Sequence, residues 1–242
     1  MSTRTPQAWI MAIERIFREE ASIDRATHEK AYLKSDLVFI GITVPRIRLA
    51  AKDFRRTFPR LAQDEVRDAA RMLWAPGVHE LRSLAIAIVE LYVPRLDDGA
   101  FAQVEAMLRE SVTWAHVDWL AVKVAGPLVD RHPRREAILE AWSEDTNFWM
   151  RRAAMLALLE PLRAGQGDFE TFSRFAEKML DEKEFFIRKA IGWVLREVSK
   201  KRPDLTCQFL DAHHARASGL TLREASRQLP EAQRARFVRP RG

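Results

Sequence analysis

The chain has 242 residues, 47% of them hydrophobic, a formal net charge of +6 and a pI near 9.8. This is enough apolar material for one large domain or a continuous repeat array, and no stretch reaches the roughly 20 apolar residues that span a bilayer. A single cysteine, Cys207, excludes an intramolecular disulfide framework and fits a reducing compartment, while the basic balance favours an anionic partner, with nucleic acid first.

The predicted elements are all helices. Pro6 opens the first, which runs to about Ala21 and is broken by Glu14, Arg15, Arg18, Glu19 and Glu20, so it lacks the apolar core of a signal peptide. A soluble, cytoplasmic protein is expected. Asp24 caps a second helix ending near Lys34, and the loop Val38–Pro45 leads into a third through Phe58. Helices follow over Asp64–Trp74 and Val78–Val93, the latter with Leu81, Leu84, Ala85, Ile88 and Val89 on one face. Asp97-Asp98-Gly99 starts another pair, Phe101–Arg109 and the segment Thr113–Leu120. Further helices are predicted at Pro133–Trp142, Thr146–Arg163, Asp168–Leu180, Lys183–Lys201 and Pro203–Ala212. Residues 230–242, with Arg234, Arg236, Arg239 and Arg241, read as a basic, poorly ordered tail after a domain spanning 1–229.

These helices repeat. Phe185-Phe186-Ile187-Arg188-Lys189-Ala190 matches Phe148-Trp149-Met150-Arg151-Arg152-Ala153 in character at every position, 37 residues earlier. A weaker echo at Leu81–Ala85 puts Arg82 in the place of Arg151. Counting back 34 residues from Arg152 gives Asp118, so Asp118, Arg152 and Lys189 are expected at equivalent places on successive helical hairpins. In a stacked array such positions line one surface. Trp114 lies four residues before Asp118 and Trp193 four after Lys189, each on the shared face of its helix. Taken alone, Trp114 and Asp118 also fit a core tryptophan beside a solvated carboxylate.

The segments Trp114-x-x-Val117-Asp118, Asn147-x-Trp149-x-x-Arg152-Ala153-Ala154 and Lys183–Glu197 resemble the AlkD-type DNA alkylation repair family. So do Tyr32-Leu33-Lys34, Phe39-x-Gly41-Ile42-x-x-Pro45 and Leu222-Arg223-Glu224-Ala225, in the same order along nearly the whole chain. The resemblance implies an all-α fold, a single right-handed solenoid of HEAT-like repeats with a concave basic face for DNA. It implies a glycosylase that removes cationic N7- and N3-alkylated purines from duplex DNA. No lysine is obviously placed as a Schiff-base nucleophile, so a monofunctional hydrolase is expected, acting as a monomer without cofactor or metal. By the same resemblance the catalytic aspartate falls on Asp118, the aromatics that cradle the lesion nucleotide on Trp114 and Trp193, and a DNA-contacting arginine on Arg152. Lys189 is expected to hold phosphate with it, and Tyr32 matches a further family aromatic by position.

Ala115-His116 stands where an Asp-Ser-type pair occurs in the family, and Thr113 where an extra tryptophan can occur. His116 is open to two readings, a DNA contact or a plain surface histidine. Trp9, Trp74, Trp119, Trp142 and Trp149 sit in apolar settings and are expected in the core. His213 and His214 are adjacent, so their side chains diverge on a helix, and no metal spacing is present. The rival reading is a noncatalytic helical-repeat module that binds DNA or protein.

Overall fold

The computed structural model describes residues 5–237, and the chain divides after Leu128 into two units. In the first, Thr5 caps α1 (Pro6–Glu19), with Pro6 at a first-turn position that has no amide bond to lose. α2 (Ile23–Leu33) is capped by Ser22, whose hydroxyl accepts from Arg25 N, and Asp24 lies inside its first turn. α2 ends at Lys34, in the left-handed region at φ 49°. The unit continues with α3 (Val44–Thr57), α4 (Gln63–Trp74), α5 (His79–Tyr92), α6 (Phe101–Arg109) and α7 (Trp114–Leu120).

α5 is the centre of this unit and packs against α3, α4 and α7. Its apolar run Leu84-Ala85-Ile86-Ala87-Ile88-Val89 is buried throughout and not on one face alone, the pattern of a helix enclosed on all sides. Each fully buried Leu or Ile contributes about 1.5–3 kcal/mol. α7 passes into a π-helical turn, Ala121–Ala125, in which Gly126 N bonds back to Ala121 O. A short helix, α8 (Gly126–Arg131), follows.

The second unit contains α9 (Arg135–Ser143), α10 (Phe148–Leu156), α11 (Leu159–Arg163), α12 (Phe169–Lys178), α13 (Phe185–Ser199), α14 (Pro203–His213), α15 (Gly219–Ala225) and α16 (Glu231–Arg234). α13 is its central helix, packed against α10, α11, α14 and α15. The helix expected over Thr146–Arg163 is two helices, divided at Ala157-Leu158. Pro161 explains the division: it has no N–H for the Ala157 carbonyl, and its ring crowds that carbonyl four residues earlier.

Residues 230–237, read from sequence as part of a basic tail, include α16 and a buried Phe237, and Arg236 pairs with Asp211 on α14 at 2.5 Å. Arg239 and Arg241 lie outside the described residues. Among the described residues there is no strand, only an isolated bridge between Val38 and Val78, and no helix is long and apolar enough to cross a membrane.

Candidate nucleic-acid interface

Six helices share one register. Their N-caps are Thr43 (α3), Val78 (α5), Thr113 (α7), Asn147 (α10), Glu184 (α13) and Ser218 (α15), and all but Val78 accept a backbone N–H through the side chain. Asp118, Arg152 and Lys189 are each the fifth residue after the cap, as the repeat spacing predicts. The same count reaches Arg48 on α3, Ser83 on α5 and Arg223 on α15. Sequence reasoning missed these three. Their signal was the cap itself, since Thr43 and Ser218 are ordinary capping residues five positions before an arginine.

Two neighbouring positions in this register do different work. At the fourth residue after the cap, Arg82, Arg151 and Arg188 turn back on their own unit. Arg82 donates to Trp74 O and Glu110 O and lies 4.7 Å over the Trp74 ring. Arg151 forks onto Glu182 at 2.7 and 2.9 Å and donates to Asp145 O and Thr146 O, and Arg188 donates to Glu182 O at 2.6 Å. These arginines hold the turn that precedes each helix. At the fifth residue Arg48, Lys189 and Arg223 are exposed.

Arg152 differs from the other cations of its column. It is only 2% exposed, donates to Phe186 O, and its guanidinium lies 6.0 Å from the Phe186 ring. Phe186 belongs to an aromatic group with Phe148, Trp149 and Phe185, at centroid separations of 4.4–6.4 Å. Lys189 Nζ is 5.8 Å from the Phe185 ring, the contact expected one helical turn apart. Trp193, on the same helix, is half-buried, and beside it Gly192 lets α15 approach: a Cβ there would lie 2.6 Å from Glu224 Cβ.

In the first unit Trp114 and Asp118 occupy one face of α7, and both are half-buried. Tyr32, at the far end of α2, is 71% exposed and meets Trp114 edge-to-face, ring centroids 5.9 Å apart and planes at 85°. The structure thus brings three predicted residues, Tyr32, Trp114 and Asp118, into one neighbourhood of this unit. Arg152, Lys189 and Trp193 belong to the second.

Trp119, expected in the core, is only half-buried. Its indole N–H donates to Glu90 at 2.6 Å and the Arg48 guanidinium lies 4.6 Å over its ring, a cation–π contact joining α3 to α7. Trp149 is likewise half-buried, whereas Trp9, Trp74 and Trp142 are buried as expected.

His116 is neither a DNA contact nor a surface group, because it is fully buried. Its ring stacks on His79 at 4.5 Å, His79 stacks on Phe39 at 4.6 Å, and the Trp74 ring lies 5.9 Å from His116 at a tilt of 49°. His116 Nε2 bonds with Ser83 Oγ at 3.2 Å and His79 O at 3.1 Å, while Nδ1 of both histidines is buried without a partner. Burial lowers the His79 pKa to about 4 and lowers that of His116 well below its usual range, with the charges of His79 and Arg82 acting in the same direction. Both rings are neutral at physiological pH, so this stack underneath α7 is a structural column.

Comparison with known proteins bears on the fold and the family. No curated relative matches the chain at a significant level. Among solved structures, a predicted DNA alkylation repair enzyme from Enterococcus faecalis superposes with a TM-score of 0.79 at 24% identity, covering 87% of this chain and 97% of its own. AlkD2 from Streptococcus mutans superposes with a TM-score of 0.60 at 18% identity, covering 85% and 99%. These likenesses establish the all-helical repeat fold. The sequence profile of the DNA alkylation repair enzymes matches residues 13–229, across both units and every helix of the shared register, and the chain belongs to that family.

Proposed function

We propose that this protein is a DNA glycosylase that hydrolyses the N-glycosidic bond of cationic N7- and N3-alkylated purines in duplex DNA and leaves an abasic site. The observation that carries the reading is the group on α7: a carboxylate, Asp118, one helical turn from an indole, Trp114, which an exposed phenol, Tyr32, meets edge-to-face. Alkylation at N7 or N3 gives the purine a positive charge, so it departs as a neutral base with little need for a general acid. Positive charge then develops on the deoxyribose. A fixed carboxylate stabilises that charge and holds the attacking water, an electrostatic role in which one lost group commonly lowers the rate about 100- to 1000-fold. The electron-rich faces of Trp114 and Trp193 suit a cationic nucleotide, each contact being worth about 0.5–2 kcal/mol.

In this reading Arg48, Lys189 and Arg223 hold backbone phosphates, which position DNA without reading its sequence. Arg152, buried with its guanidinium directed to Phe186 O, shapes the surface beside Lys189 and acts on DNA through that surface. In this reading the protein works as a cytoplasmic monomer and needs no metal or cofactor. The test is release of free 7-methylguanine from a duplex containing that base, wild type against Asp118→Asn. Release by the wild type, reduced at least about 100-fold in the variant, supports the proposal. Equal release removes Asp118 from the mechanism, and no release from the wild type replaces catalysis with DNA binding alone.

A further inference from the structure

α2 is the one long helix of the first unit that buries no side chain, yet it carries Tyr32. A helix without a core face has to be held by something other than apolar packing. Its attachment is the loop that follows it. Ser22 N, at the start of α2, donates to Ile40 O at 2.9 Å. Gly41 lies so close to the α2 backbone that a Cβ would fall 2.2 Å from Ser22 O and 3.0 Å from Ala26 N, and its φ of +81° favours glycine independently.

The loop is fixed by the N-cap and first turn of α5 at three successive residues. Val78 bridges to Val38, with His79 N donating to Val38 O at 2.8 Å; the His79 ring stacks on Phe39; and Glu80 takes the amides of Ile40 and Gly41. The Glu80 contacts are 3.0 and 3.1 Å from Ile40 N and 2.5 Å from Gly41 N, and the residue is fully buried. A carboxylate in the first turn of a helix is also favoured by the helix dipole. Charge-assisted bonds of this kind are about twice as strong as neutral ones.

We infer that Glu80 is a positioning residue for the α7 site: its carboxylate grips Ile40 and Gly41, the loop holds α2, and α2 sets Tyr32 against Trp114. The functional half of this inference rests on the proposed glycosylase reading; the mechanical half does not. Glu80→Gln keeps the shape and one acceptor oxygen but replaces the carboxylate with a neutral amide whose NH2 faces the Ile40 amide.

The experiment combines hydrogen exchange with a double-mutant cycle on the full-length protein. In Glu80→Gln the amides of α2 are expected to exchange about tenfold faster or more, the size of one lost charge-assisted bond, with α4 amides unchanged. Single-turnover release of 7-methylguanine is expected to fall in Glu80→Gln and in Tyr32→Ala, and the double variant to be no slower than the worse single one, because both act through one contact. Unchanged α2 exchange overturns the inference, as does full additivity of the two substitutions. If the wild type releases no base, duplex affinity replaces release in the cycle, so failure of the glycosylase reading is distinguished from failure of the clamp. If Glu80→Gln does not fold, Glu80→Asp, which keeps the charge and shortens the reach, is expected to give the same pattern.

Discussion

Acid should destabilise the first unit through His79, by an amount the structure fixes. In the unfolded chain this histidine titrates near its ordinary value of 6.5, whereas in the fold, between Phe39 and His116, burial holds it near 4. Above about pH 6.5 both states are neutral and its contribution to stability is fully present. Between 6.5 and 4 the unfolded chain binds a proton that the native state refuses, so stability falls as pH falls. From pH 7 to pH 5 the loss is about 2 kcal/mol for His79 alone. His116, displaced in the same direction, adds to it. Glu80 opposes it, because burial raises its carboxyl pKa and its protonation in the fold favours the native state as pH drops. The measurement that isolates His79 is therefore a difference: urea unfolding of wild type and His79→Phe at pH 7 and pH 5, at constant ionic strength. The phenyl ring keeps the stack and cannot titrate. Wild type should lose about 2 kcal/mol more than the variant over this interval, and equal losses would refute the argument that the buried imidazole is held neutral.

The remaining expectations concern the register. Replacing Lys189 or Arg223 by alanine should weaken duplex binding with little dependence on sequence and make the salt slope shallower by about one unit each. Arg188→Ala, which removes a bond to Glu182 O, should leave that slope unchanged and lower the melting temperature instead; a slope that changes equally in all three variants would remove the distinction between the two positions. Gly192→Ala should destabilise the second unit by about 1–3 kcal/mol, because the new methyl group meets Glu224 Cβ where α15 crosses α13. Thermal unfolding checks this, and an unchanged melting temperature would mean that α15 moves aside freely.

The sequence made the periodic part of this structure legible. Asp118, Arg152 and Lys189 could be aligned by counting because each repeat restarts its helix at a cap and the next residues keep helical spacing. Features that depend on which way a helix faces were harder to read. His116 lies between two site residues and looks like surface chemistry, yet the turn of α7 aims it into the core against His79. Arg152 and Lys189 are both cations at the same register position, but the Phe186 carbonyl captures one and solvent receives the other. Glu80 left no mark in the pattern, since an acid in a first helical turn is ordinary and its partners lie about 40 residues away. α15 was missed because Gly219, a poor helix former, occupies its first position. The break before α11 was available in Pro161 and was overridden by the apolar run around it.

The adjacency of the fourth and fifth residues after each cap also bears on how such a chain tolerates insertions. In α13 one residue of slip between the cap and its helix would exchange Arg188, which holds the preceding turn, with Lys189, which is exposed, damaging stability and binding together. Length changes are therefore safe only between one helix and the next cap. The longest interval in the series, from Arg152 to Lys189, contains the turn at Gly165 and Gly167, both at positive φ. That turn accommodates length where it leaves every register position untouched.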